Sequence, residues 1–371
     1  MSLDRVPTPA LLLDLDVLER NLSRMAERCS RLGVAMRPHV KTHKCVEVAE
    51  RQRALGITGI TVSTLHEARV FAGHGFDDVT WAFPVQLSRL DEVRELAQRI
   101  TLRLLVDTME AVRALESLDD LRGPLHVWIK VDCGYHRAGV DPESPQALEL
   151  ARAVAGSSRL TLDGILTHSG HAYHAKSPEE VAAVAEEERS VMAGFADRLR
   201  GEGIEVPGVS VGSTPAMWTV RGLDGVTEAR PGNYAFNDFE QVSLGGCEAR
   251  DCAVTVLASV VSAQPGRSWC ITDAGALALS KDPGFGTSMG EVFADYEAGA
   301  LSAEARLTAL SQEHGILSAP RPVGSQVRVL PNHSCLTAAC FDEYVVVRGV
   351  RSQRSQRGQE VVDRWKIWRG R

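Results

Sequence analysis

In the stretch Arg37-Pro-His-Val-Lys-Thr-His-Lys44, basic side chains recur at every second position as Arg37, His39 and Lys41. Side chains of a strand alternate between its two faces, so a strand over 35–41 aims all three the same way. If that face looks into a parallel αβ-barrel, Lys41 stands at the C-terminal mouth, where such barrels carry their chemistry. A lysine there is a candidate Schiff-base former. Lys44 lies beyond the strand, so the same argument does not fix its direction. The alternative for so short a basic cluster is a pair of solvated lysines leading into a helix, with His39 and His43 as polar neighbours.

Three further predicted strands end in polar residues: Asp132-Cys-Gly-Tyr-His-Arg137, Thr167-His-Ser-Gly-His-Ala-Tyr173 and Gly212-Ser-Thr-Pro215. The last is a small-residue turn opening a helix, whose unpaired N–H groups form an anion site. An eighth strand ends in Arg230-Pro-Gly-Asn-Tyr234, and barrels often bind phosphate between the loops after strands seven and eight. A lysine at one strand end and a phosphate cradle across the mouth suggest pyridoxal phosphate. Taken singly, each turn reads equally as an ordinary βα connection. Arg137 is placed to face the cofactor's ring nitrogen and Tyr173 its ring hydroxyl or the substrate; for Arg137 alone a surface ion pair is the competing reading. An arginine at the ring nitrogen weakens the ring as an electron sink, so a departing hydroxyl needs help from elsewhere.

That help is offered by Pro331-Asn-His333-Ser-Cys335. In an extended segment, His333 and Cys335 face one side and can share a metal ion. Imidazole with thiolate favours zinc among the common ions, and two protein ligands leave positions open for substrate. By itself the pair reads as a packed cysteine beside a polar histidine.

The elements that must position these groups alternate along the chain. Ala10–Asp14 reads as a strand, Asp16 and Glu19 as a capping box, and Leu18, Leu22, Met25, Cys29 and Leu32 as one face of a helix stopped at Gly33. Strands follow at 35–41, 59–63, 79–83, 102–107, 125–132, 162–168, 208–212 and 226–230, with helical patterns between them. Eight such repeats predict a closed (β/α)8 TIM-type barrel. From residue 247 the runs 253–261, 269–272, 326–330 and 344–347 are β-rich without amphipathic helices, which predicts a second, mostly antiparallel β domain. The expected division is 15–246 for the barrel and 1–14 plus 247–371 for the β domain.

The chain has 371 residues, 44% hydrophobic and 24% charged, with a formal net charge of -7, which offers no polybasic surface for nucleic acid. No apolar run reaches membrane-spanning length and the N-terminus lacks a secretory pattern, so a cytoplasmic enzyme is expected. Eight cysteines without CxxC pairs argue against a disulfide framework or a structural zinc finger.

Thr8-Pro-Ala-Leu-Leu-Leu-Asp14, Arg37-Pro-His-Val-Lys-Thr-His-Lys44, Gly212-Ser-Thr-Pro-Ala216, Pro231-Gly-Asn-Tyr234, Asp273-Ala-Gly-Ala-Leu-Ala-Leu-Ser280, Gln312-Glu-His-Gly315 and Pro331-Asn-His-Ser-Cys335 together resemble the fold-type III pyridoxal phosphate enzymes that include D-serine dehydratase and D-threonine aldolase. The resemblance implies an alanine-racemase-like barrel plus β domain, a homodimer, and the first strand joining the β domain. It also implies Lys41 as the cofactor lysine with His39 beside the cofactor, Thr214, Gly232 and Asn233 around the phosphate, and a divalent metal on His333 and Cys335, zinc with manganese or magnesium as alternatives. The HxC pair resembles the dehydratase branch; aldolases more often show HxD.

The expected activity is loss of water from small β-hydroxy D-amino acids to give a 2-oxo acid and ammonia, with 3-hydroxy-D-aspartate among the candidate substrates. The alternative is retro-aldol cleavage to glycine and an aldehyde. A racemase would leave the HxC pair idle, and a non-catalytic cofactor carrier would need no second domain.

Overall fold

The computed structural model describes residues 2–284, 286, 288–351 and 357–370. The chain divides into two compact units, one holding the chain up to Arg24, Thr42–Arg51 and Asn233–Arg369, the other Met25–Lys41 and Gln52–Gly232. No helix among the described residues is long and apolar enough to cross a membrane.

Among the described residues, seventeen strands are numbered in chain order. The first unit contains β1 (Ala10–Asp14). The second unit is built on β2 (Ala35–Met36), β3 (Ile60–Val62), β4 (Asp78–Pro84), β5 (Thr101–Val106), β6 (Leu125–Lys130), β7 (Leu160–Leu166), β8 (Gly208–Val211) and β9 (Glu228–Ala229). These eight pair in the order β2-β9-β8-β7-β6-β5-β4-β3, every pair parallel. A parallel bridge between His39 and Thr61 and the 2.9 Å bond from Thr61 N to Pro38 O join the two outer strands, giving the expected TIM-type ring. Between strands lie helices such as Leu65–Gly73, Pro145–Gly156 and Pro178–Gly201, each N-capped by a Ser or Thr side chain. At the β7–β8 contact, Gly164 has φ +141 and a Cβ there would lie 1.9 Å from Gly208 O; only glycine lets these strands approach.

Two local expectations change. The strand expected over 35–41 stops at Met36, and Val40–Thr42 forms a single 3-10 turn, so Arg37, His39 and Lys41 do not share a strand face. Pro38 has no N–H to give a ladder, which limits the strand at this point. The helix Leu15–Arg31 is capped by Asp14, whose Oδ1 accepts from Val17 N at 3.0 Å, not by Asp16 and Glu19; these two pair instead with Arg348.

Arg37 is committed to the barrel interior. Its guanidinium binds Glu228 Oε2 at 2.6 Å and both oxygens of Asp78 at 2.9 Å. Asp78 also receives Arg103 Nε at 2.7 Å, Arg103 reaches Asp163, and Asp163 binds His126 Nδ1 at 2.8 Å. On the other side Glu228 accepts from Ser210 Oγ at 2.5 Å, and Ser210 with Thr167 O receives Arg230. Cations and anions thus alternate along this chain of charges, so that Arg37, Asp78, Glu228, Arg103 and Asp163 each have a charged partner.

The first unit is antiparallel except where β1 meets β16. Its further strands are β10 (Val254–Ala263), β11 (Cys270–Thr272), β12 (Gly290–Asp295), β13 (Ala300–Leu310), β14 (Gly315–Leu317), β15 (Gln326–Leu330), β16 (Glu343–Arg351) and β17 (Arg357–Lys366). The order β11-β14-β13-β12-β15-β10, with β10 also pairing β11, closes a six-stranded barrel, and β1-β16-β17 extend its sheet. The first strand therefore joins the β-rich segment, antiparallel to β10 and parallel to β16. Four strands, β12, β13, β14 and β17, had no sequence prediction. The composition of β13 suits a helix, yet Ala305 and Leu307 are fully buried between exposed Glu304, Arg306 and Thr308, and this alternation within a closed sheet overrides propensity.

Burial opposes ionisation of Asp78, but the hydrogen bonds from Arg37 and Arg103 outweigh it and pull the carboxyl down to about 2. Because this pKa is depressed, the stabilisation is complete above the ordinary value of 3.8 and is lost as pH falls toward 2. Replacing Arg37 by methionine leaves Asp78 and Glu228 without their shared cation and is expected to cost about 3–5 kcal/mol in urea unfolding. A cost below about 0.5 kcal/mol would show that the chain of charges is not structural.

Candidate active site

In the barrel unit, Lys41 lies on the 3-10 turn after β2, half-buried, with its N–H 3.5 Å from His39 Nδ1. His39 Nε2 is 3.4 Å from Ser63 Oγ, beyond β3. Burial and then the positive charges of Lys41, Lys130, Arg137 and Arg230 hold His168, just beyond β7, well below its ordinary pKa. The Arg137 guanidinium sits 5.0 Å from the centroid of the Tyr135 ring, and that ring is 6.1 Å from His168. Arg137 itself is exposed. Tyr173 is half-buried on the single turn Gly170–His174 that follows β7.

Thr214 opens the short helix Thr214–Thr219, and Ser213 caps it by accepting from Ala216 N at 3.4 Å. The preceding Gly212 has φ +111, and a Cβ there would stand 3.3 Å from Arg230 N, so the turn stays narrow and its backbone accessible. Glu188 Oε1 accepts from both Ser169 N and Gly212 N at 3.1 Å, fixing the β7 and β8 loops together. Pro231 O accepts from His39 N at 2.9 Å, which brings the turn containing Gly232 to the lysine loop.

Lys130, 6% exposed at the end of β6, is a residue that sequence reasoning missed. Burial first, then Arg230, lowers its pKa to about 8. The signal was a lysine closing the apolar run Val127-Trp128-Ile129. Glu188 was also missed, although it interrupts the buried stripe Val181, Ala185, Met192 and Phe195 of its helix. The excess of cations, the narrow glycine turn and the capped helix start fit an anionic cofactor with a phosphate and a carbonyl for Lys41.

In the β unit, His333 and Cys335 come together by a route other than the expected extended segment. His333 is the N-cap of the helix Ser334–Ala338 and Cys335 lies in its first turn. Burial opposes the imidazolium, but the Cys335 thiolate and Asp282 overcome this and push His333 up to about 12. Burial likewise raises Cys335, and His333 outweighs it, so the thiol is lowered. Thr42 Oγ1 lies 3.3 Å from the sulfur.

Asp238, Glu240 and His333 offer ligand atoms within 4.8 Å of one another. Asp238 is satisfied by Asn233 Nδ2 at 2.6 Å, Ser334 N at 2.8 Å and Gln241 N at 3.1 Å. Glu240 is not: its Oε2 is buried without a hydrogen bond among the described residues, 3.8 Å from His333 Nδ1. Burial, then Asp238, pushes its carboxyl up to about 8. Asp238, Glu240 and the Cys335 thiol against one histidine form a donor set that fits a divalent cation. The Asn233 side chain belongs to this group, since its amide also donates to Ser334 Oγ at 3.2 Å.

Residues 13–238 match the family described as "Alanine racemase, N-terminal domain", and 253–347 that described as "Putative serine dehydratase domain". The chain is 40% identical to D-threo-3-hydroxyaspartate dehydratase of Delftia sp. (strain HT23), over 91% of this chain and 93% of the relative. It is 34% identical to D-serine dehydratase of Dictyostelium discoideum, over 93% and 94%. A solved structure of a D-threo-3-hydroxyaspartate dehydratase cysteine-to-alanine mutant in the metal-free form superposes with a TM-score of 0.91 at 37% identity, covering 100% of both chains.

In cofactor-free protein, the folded pKa of Lys130 near 8 lies below its ordinary 10.5, so the unfolded chain binds more protons between those values. Stability contributed by this group therefore rises with pH across that window. Lys130→Met is expected to remove that part of the slope in unfolding measured from pH 8 to 10.5; identical slopes would contradict the assignment.

Proposed function

Because the chain belongs to the D-serine dehydratase and D-threonine aldolase family of alanine-racemase-like, pyridoxal-phosphate-dependent lyases, we propose that it removes water from small β-hydroxy D-amino acids to give a 2-oxo acid and ammonia. The observation that carries this reading is the cluster of Asp238, Glu240 and His333, with the Cys335 thiol against the same histidine, which fits a divalent metal and which a racemase would leave idle. When bound, pyridoxal phosphate supplies a carbonyl for the substrate amine and an electron-withdrawing ring, and the metal supplies a Lewis acid.

Lys41 would hold the cofactor's carbonyl carbon and is the residue that would take the substrate's α-proton as general base. His333 and Cys335 hold the ion, with zinc best matched to imidazole and thiolate and manganese or magnesium as alternatives. An ion held there would supply Lewis-acid help to the departing β-hydroxyl. Thr214, Gly232 and Asn233 bind the phosphate; with its amide engaged by Asp238 and Ser334, Asn233 contributes its main-chain N–H. His39 and Arg137 line the cofactor, and Tyr173 orients its hydroxyl or the substrate. 3-Hydroxy-D-aspartate is a candidate substrate, since a relative 40% identical to this chain is named D-threo-3-hydroxyaspartate dehydratase. Arg37 has no part in binding it, since Asp78 and Glu228 occupy its donors. A cytoplasmic homodimer completes the reading.

Dialysis against a strong chelator is expected to abolish 2-oxo acid formation and added zinc to restore it. His333→Ala should cost about 100-fold or more in turnover, the scale of a lost Lewis acid, while keeping the visible band of the lysine-bound cofactor. Lys41→Ala should lose that band. Full activity after rigorous chelation would overturn the metal's role.

A further inference from the structure

His333 has two ring nitrogens, and the metal needs the one with a free lone pair. Nδ1 lies 3.1 Å from Asp282 Oδ2. A carboxylate only accepts, so Nδ1 carries a hydrogen, and the neutral ring that a metal requires then has its lone pair on Nε2. Asp282 is itself held. Its Oδ1 accepts from Gly284 N at 3.3 Å, and its main-chain carbonyl accepts from Asn332 Nδ2 at 3.0 Å. The same amide gives its other hydrogen to Ser288 O at 2.8 Å.

Asn332 is buried and directly precedes His333. Gly284, at φ +55, stands so close that a Cβ would meet Asn332 Cβ at 3.0 Å. The residue next to the metal ligand thus grips the turn that carries the carboxylate, so ring and carboxylate are fixed to one another.

We infer that Asp282 is a positioning residue: through the hydrogen bond to Nδ1 it sets the tautomer and ring plane of His333 and presents Nε2 to the divalent metal. This rests on the reading that His333 and Cys335 hold that metal. It assigns a role to Asn332 as well, as the clamp that keeps Asp282 in place. A ligand histidine with an anionic partner on its other nitrogen is a stronger and better oriented donor, and losing such a partner lowers metal affinity by about 10–100-fold.

The test is zinc affinity of the cofactor-loaded protein, read by competition with a chromogenic chelator. Asp282→Asn, nearly isosteric, is expected to weaken zinc binding about 10-fold and Asp282→Ala up to about 100-fold, with the cofactor band and the melting of the metal-free protein unchanged. Nitrogen-15 spectra of the zinc-loaded, unsubstituted protein should show the His333 Nδ1 protonated. Unchanged affinity in Asp282→Asn, or zinc on Nδ1, overturns the inference and leaves the metal site standing. Unchanged zinc binding in His333→Ala removes the site on which it rests.

Discussion

Each half of the candidate machinery contains a buried ionisable group whose charged form the fold disfavours. In the barrel unit, burial and then the like charge of Arg230 lower Lys130 to about 8, and the positive charges of Lys41, Lys130, Arg137 and Arg230 act against protonation of His168. In the β unit, Asp238, Glu240, Asp282 and Cys335 surround His333, and Glu240 rises to about 8. Buried charge of one sign is expensive unless compensated. A phosphate-bearing cofactor supplies negative charge to the first, and a divalent ion supplies positive charge to the second. Groups so perturbed are typical of sites built for a ligand.

Elsewhere the barrel does balance its charges, and this contrast locates the site. Arg37, Asp78, Glu228, Arg103 and Asp163 form pairs whose donors and acceptors are mutually satisfied. They hold strand starts in register and leave chemistry to the loops beyond the strand ends, the division of labour usual in such barrels. Arg230 links the two regions, bonded to Ser210 and Thr167 on one side and contributing to the cationic surroundings of His168 on the other.

Much of this was legible in the sequence because its signals are local. Strand and helix periods gave the eight parallel repeats, and Lys41 and the His333-Cys335 pair lie in compact motifs. What escaped is non-local or depends on a single turn. Asp282 meets His333 from 51 positions away, and Glu188 reaches Gly212 from 24; neither spacing leaves a pattern. Period two over 35–41 suggested a strand that Pro38 and the 3-10 turn do not permit. Four strands of the β unit went unread because alternation in segments such as β13 is masked by helix-favouring alanine, glutamate and arginine.

In the proposed reading, His333 and Cys335 would hold a Lewis acid that helps the β-hydroxyl depart instead of acidifying it. Product analysis after incubating the protein, loaded with pyridoxal phosphate and zinc, with D-threonine separates the two. The account predicts 2-oxobutanoate and ammonia; glycine and acetaldehyde would contradict it and assign the site to retro-aldol cleavage.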